Sequence, residues 1–248
     1  MYDHGAANTL FLRGEYALAA ERYHEGAREG DRFAAFNYGY CLWRGIGVEP
    51  DPAEAKSFFV YARDIDGGDA YYNLAMLYLH GEGVPRLYDK AVAYMRSAAE
   101  NGCLEAQLYL GMLYTTGCVL EPDIIGICRI PFHKPEYHAE SFAYLTGDVP
   151  DLEEDEDKRS TVVDADAHEA FLWFQTAARH DPTYVSELVA KGQYLYAKCF
   201  ADGLGTDFDR QKAARLMLLA GRNGSQEAVA YLAERGIPPE QYLDRPRR

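Results

Sequence analysis

The stretch Ala70–Val84, AYYNLAMLYLHGEGV, is an apolar run that ends in two glycines one residue apart. AAFNYGYCLWRGIGV begins 36 residues earlier at Ala34, and AQLYLGMLYTTGCVL begins 36 residues later at Ala106. A further copy, GQYLYAKCFADGLGT, starts at Gly192. In each copy a small residue follows five positions on (Gly39, Ala75, Gly111, Ala197) and a glycine six beyond that (Gly45, Gly81, Gly117, Gly203). A constant ruler of this length marks a repeat architecture. One unit cannot bury its own apolar face, so successive units stack.

The second half of the unit recurs as well. Ala55, Ala91 and Ala213 each stand eight residues past the second glycine, with small residues seven later at Ala62, Ala98 and Ala220. HEAFLWFQTAARHD keeps this register from Ala170, and EYALAAERYHEGAREGD keeps it from Ala19 in an earlier, shorter unit. Leu74, Leu77 and Tyr78 in one half, and Val92, Met95 and Ala99 in the other, have helical spacing. Asp51-Pro52-x-Glu54 supplies an N-cap, a proline at the first helical position and an acid in the first turn; Asp166-x-x-Glu169 does likewise. The glycines after each first helix are suited to closing it in the left-handed conformation.

These residues resemble the SEL-one-like repeat family, a relative of the tetratricopeptide repeats with a longer inter-helix turn. The pattern A-x4-[L/Y]-[G/A]-x5-G-x-G-V followed by A-A-E-x-G carries the resemblance. It implies an all-α fold: a right-handed α-solenoid of about five helix-turn-helix repeats in a single domain over residues 1–248. The units fall at about 3–33, 34–69, 70–105, 106–191 and 192–227, with a capping helix over 225–236. Units three and four start 86 rather than 36 residues apart. Most of the excess is one long insertion, 120–165, within the turn joining the two helices of unit three, and DPTYVSEL is expected to lengthen the turn after its second helix. The insertion begins with β-branched and aromatic residues between prolines and ends in the acidic run DVPDLEEDEDKRS.

Composition excludes several classes. The 25 basic and 39 acidic residues leave a net charge of −14, which opposes binding to nucleic acid phosphates and anionic membranes. No stretch approaches the roughly 20 apolar residues of a membrane span, and the N-terminus lacks the pattern of a secretory signal. Five cysteines without a C-x-x-C pair suit reduced thiols and a cytoplasmic location. Nothing nominates a nucleophile with its base, a phosphate loop or a cofactor motif, so no catalytic residue and no cofactor is expected. Cys118, Cys128, His133 and His138 are the metal-ligand types that lie close together, but C-x4-H-x4-H matches no standard zinc module and no metal site is expected.

The resemblance places the first helices on a concave face and implies exposed contact positions along it. Unit by unit these are Phe36, Asn37, Tyr40, Trp43 and Arg44; Tyr72, Asn73, Met76 and His80; Leu108 and Met112; and Tyr194 and Lys198. Asn37 and Asn73 occupy the same repeat position, and an amide there offers both a donor and an acceptor to an extended peptide backbone. The expected function is a non-catalytic scaffold that holds a protein or peptide segment on this face. The acidic charge favours a basic or amphipathic partner, with neither nucleic acid binding nor membrane insertion. The alternative is a regulatory or immunity-type inhibitor acting through the 120–165 insertion. A third reading is a β-lactam-binding or hydrolase-like enzyme, because some cysteine-rich members of the resembled family bind or hydrolyse β-lactams.

Overall fold

The computed structural model describes residues 4–65, 68–117, 164–181 and 186–237. They form eleven helices and, among the described residues, no strand. The chain divides into two compact units, the first centred on residues 1–103 and the second on the residues that follow.

The first unit contains three helical hairpins. They are α1 (His4–Leu12) with α2 (Tyr16–Arg28), α3 (Arg32–Arg44) with α4 (Pro52–Ala62), and α5 (Asp69–His80) with α6 (Tyr88–Glu100). The second unit pairs α7 (Leu104–Thr116) with α8 (Ala167–Ala177), and α9 (Ser186–Asp202) with α10 (Arg210–Arg222); α11 (Gln226–Glu234) closes it by packing on α10. The expected caps are present. Asp51 accepts from the Glu54 N–H at 2.8 Å, with Pro52 opening α4. Asp166 accepts from His168 and Glu169 at 2.9 and 3.1 Å. Asp31, Asp209 and Ser225 cap α3, α10 and α11 in the same manner.

One hydrogen bond shows how the long insertion is absorbed. The residue before each second helix donates its N–H to a carbonyl near the end of the first helix. The pairs are Asp51 to Leu42, Leu87 to Tyr78, and Asp209 to Phe200, at 2.9 to 3.0 Å. Across the insertion, Asp166 donates to Tyr114 at 2.9 Å, in the same repeat register. The extra residues therefore leave from and return to one turn without disturbing the hairpin. They lie largely within 118–163, outside the described residues.

In the turns that carry two glycines, the two have different tasks. Gly45 and Gly81 sit at φ of 66° and 76° and cap α3 and α5 in the left-handed conformation. The second glycine presses on the start of the preceding second helix. A Cβ on Gly47 would lie 2.3 Å from the Tyr16 backbone, one on Gly83 2.3 Å from Ala53 N, and one on Gly205 1.9 Å from the Ala167 carbonyl oxygen. No side chain fits at these three positions, and this is why their turns read G-x-G rather than carrying a lone cap.

The small residue inside each first helix is paired with a large one on its partner. A Cβ on Gly39 would meet the Phe59 ring at 3.1 Å, and one on Gly111 would meet the Phe174 ring at 2.4 Å. Where the small residue is alanine, the partner position carries methionine: Ala75 with Met95, and Ala197 with Met217. All four large side chains are buried, each contributing on the order of 1.5–3 kcal/mol from apolar burial. Glycine thus goes with phenylalanine and alanine with methionine, which keeps the volume of the joint nearly constant.

One boundary differs from expectation. DPTYVSEL was expected in a turn, but α9 begins at Ser186, six residues before the Gly192 of the repeat ruler. Leu188, Val189 and Ala190 are buried, so their packing carries the helix back past the repeat boundary.

Candidate functional site

In the first unit, α3 packs against both α2 and α4, and ten consecutive residues from Ala34 to Trp43 are buried. A helix enclosed on that many sides is apolar nearly all round. Phe36, Tyr40, Trp43, Tyr72 and Met76 are accordingly 4–7% exposed. The expectation that they stand open to solvent is corrected. They form a packed aromatic layer in which Trp43 meets Phe59 edge-on at 6.0 Å and Tyr40 at 6.3 Å, while Phe36 leans on Phe59 at 5.9 Å. Arg44 is exposed and lays its guanidinium over the Trp43 ring at 3.9 Å. The Trp43 Nε1–H donates to Glu82 in the turn after α5, so this indole joins two consecutive hairpins. His80, at the end of α5, is half-buried.

The two repeat-equivalent amides are buried on α3 and α5. Asn37 is 7% and Asn73 1% exposed. Among the described residues, the Oδ1 of Asn37 and the Nδ2 of Asn73 have no hydrogen-bond partner. A buried polar group left in this state costs about 1–3 kcal/mol, and native proteins seldom leave one unexplained. Among the described residues, the pair comprises one free acceptor and one free donor on successive first helices.

In the second unit the candidates are dispersed. Leu108 is fully buried in the core and Met112 is half-buried. Tyr194 packs inward against the cluster of Ala197, Met217 and Leu232. Lys198 is exposed and pairs with Asp202 at 3.9 Å on its own helix. The repeat positions matching Asn37 carry Tyr109 and Leu195, so the amide pair is confined to the first unit.

Reactive chemistry is sparse among the described residues. Burial pushes the Cys41 and Cys199 thiols up to about 12, which leaves both protonated and unreactive at neutral pH. No group of three or more His, Cys, Asp or Glu side chains is disposed to hold a metal among the described residues. Cys118, Cys128, His133 and His138 lie outside them, as does most of the 120–165 insertion invoked by the inhibitor alternative. Among the described residues, no helix is long and apolar enough to cross a membrane.

Comparison with known proteins agrees with the repeat reading. The Sel1 repeat family model matches residues 32–63, 68–103, 104–125, 160–182 and 190–225. The chain is 22% identical to chitin synthase regulatory factor 3 of Schizosaccharomyces pombe, over 94% of this chain and 28% of that protein. It is 32% identical over 73 residues to the ERAD-associated E3 ubiquitin-protein ligase component HRD3B of Arabidopsis thaliana, covering 27% of this chain and 12% of that protein. The chain therefore spans under a third of the length of either curated relative. Among solved structures, a Sel1 repeat protein from Oxalobacter formigenes superposes with a TM-score of 0.66 at 19% identity, covering 94% of this chain and 75% of that one. That superposition shows the α-solenoid fold.

Proposed function

The chain belongs to the Sel1 repeat family, whose members are protein-interaction scaffolds, and on that premise we propose that its first unit binds an extended protein segment along α3 and α5. The observation that carries this reading is the pair of buried amides, Asn37 and Asn73, each with one atom that has no hydrogen-bond partner among the described residues. A segment running across both helices would give a main-chain N–H to Asn37 Oδ1 and a carbonyl to Asn73 Nδ2. It would recover the cost of both orphans through main-chain hydrogen bonds. Neither atom is open to water in this structure, so entry of the segment is coupled to movement of neighbouring side chains, and association is slower than for a preformed groove. The net charge of −14 favours a basic or amphipathic segment. The action is that of an adaptor without catalysis, in line with the regulatory protein named among its relatives, and the proposed location is the cytoplasm.

The test is to compare proteins that copurify from native cells with the wild type and with an Asn37→Leu/Asn73→Leu double variant shown to be folded by circular dichroism. Loss of a specific partner from the variant supports the assignment. Identical partner profiles remove this face from consideration.

A further inference from the structure

The second unit ends in a cavity unconnected with the amide pair. At α2, α4 and α8, the first residues of the helix are covered by the second glycine of a later turn: Gly47, Gly83 and Gly205. At α10 the corresponding position, 238, lies outside the described residues. Among the described residues, the first turn of α10 lines a cavity of about 380 Å³ with α9 and α11. Its lining includes the small or aliphatic Ala201, Ala213, Ala214, Leu232 and Ile237 together with two arginines and two aromatic rings.

Charge and aromatic surface mark the rim. Arg210 sits over the Phe208 ring at 5.9 Å, and Phe208 itself is 59% exposed. Arg235 stacks on Tyr231 at 3.4 Å and has the Glu234 carboxylate 3.7 Å away. Among the described residues, Arg210 has no carboxylate within ion-pair distance. Two planar guanidiniums held against rings are thus placed beside an apolar hollow of ordinary ligand-pocket size. In a chain of charge −14, this local arrangement selects a partner opposite in character to the one the bulk charge attracts.

From this geometry we infer a second docking seat that takes a short acidic-apolar peptide segment: a leucine or phenylalanine in the hollow, with a flanking Asp or Glu carboxylate on Arg210 and Arg235. Arginine suits the task because its fork meets a carboxylate through two parallel hydrogen bonds.

The experiment titrates the full-length protein with acetyl-Gly-Leu-Phe-Asp-Glu-amide and with acetyl-Gly-Leu-Phe-Lys-Lys-amide, following methyl signals of Ala213, Ala214, Leu232 and Ile237 by NMR. The acidic peptide is expected to shift these signals saturably with a Kd on the order of 0.1 mM, and the basic peptide to bind at least about tenfold more weakly. An Arg210→Gln/Arg235→Gln variant changes exposed side chains only, and is expected to lose about tenfold in affinity for the acidic peptide. Equal binding of the two peptides, or shifts confined to other residues, overturns the proposal. So do contacts from Leu232 to Tyr242 or Leu243 in the free protein, which would make the chain's own end the occupant. Concentration-dependent association that produces the same shifts without peptide would assign the seat to a second copy, and also overturns it.

Discussion

Replacing Gly111 by alanine tests whether paired volumes hold each hairpin together. The added methyl would lie 2.4 Å from Phe174 Cε1 and 2.6 Å from Cδ1, both ring atoms of a side chain 2% exposed. Alanine in mid-helix gains about 1 kcal/mol over glycine, whereas overpacking a dense core costs about 1–3 kcal/mol or more. The net expectation is destabilisation by about 1–2 kcal/mol, or a Tm lower by roughly 2–8 °C for a chain of this size. Phe174→Met alone leaves a void and costs about 1 kcal/mol. Together the two changes recreate the Ala75–Met95 joint, so the double variant is expected within about 0.5 kcal/mol of wild type, with a coupling energy near 2 kcal/mol. Urea titration by circular dichroism measures the cycle. Because repeat arrays can depart from two-state behaviour, hydrogen exchange of the α7 amides places the effect. Gly39→Ala serves as comparison: its methyl would stand 3.0 Å from Phe58 Cβ and 3.1 Å from Phe59, so a milder loss is expected. Additive single effects, or a stable Gly111→Ala protein, would refute the volume argument.

Gly205→Ala should cost at least about 2 kcal/mol in thermal unfolding, since strain at positive φ adds to the 1.9 Å approach to Ala167, whereas Gly203→Ala carries the strain alone and should cost less. Asp209→Ala removes the acceptor for the Lys212 N–H and should lower stability by about 1 kcal/mol. Alkaline titration should reveal the buried thiols. The folded pKa of Cys41 and Cys199 is raised from 9.0 to about 12, so each contributes stability that is complete below pH 9 and is lost as pH rises toward 12. The loss is about 1.4 kcal/mol per pH unit per thiol, and a Cys41→Ala/Cys199→Ala variant should show a shallower decline in urea midpoints across that window.

The 36-residue ruler was enough to locate the helical hairpins and the Asp51 and Asp166 caps, because each leaves a local signature in residue type and spacing. The early start of α9 at Ser186 was not legible from that ruler: the packing of Leu188 and Val189 extends the helix, and neither residue is a repeat landmark. Exposure along the first helices was misjudged for a related reason. Helical spacing is the same for a core stripe and a contact stripe, and the enclosure of Trp43 depends on Glu82, 39 residues away in another turn. The pairing of Gly39 with Phe59 and of Ala75 with Met95 was written in the sequence as a covariation between units, and a search for complementary volumes at equivalent positions would have found it.

The most direct test of the amide face is Asn73→Leu, followed both by thermal melting and by binding of a linear peptide selected against the wild-type protein. Leucine removes a buried donor that lacks a partner among the described residues, so the melting temperature should hold or rise by a few degrees. Peptide affinity should fall about five- to tenfold, as for one lost hydrogen bond of roughly 1–1.4 kcal/mol. A lower melting temperature with unchanged affinity would show that Asn73 serves the fold rather than a bound segment.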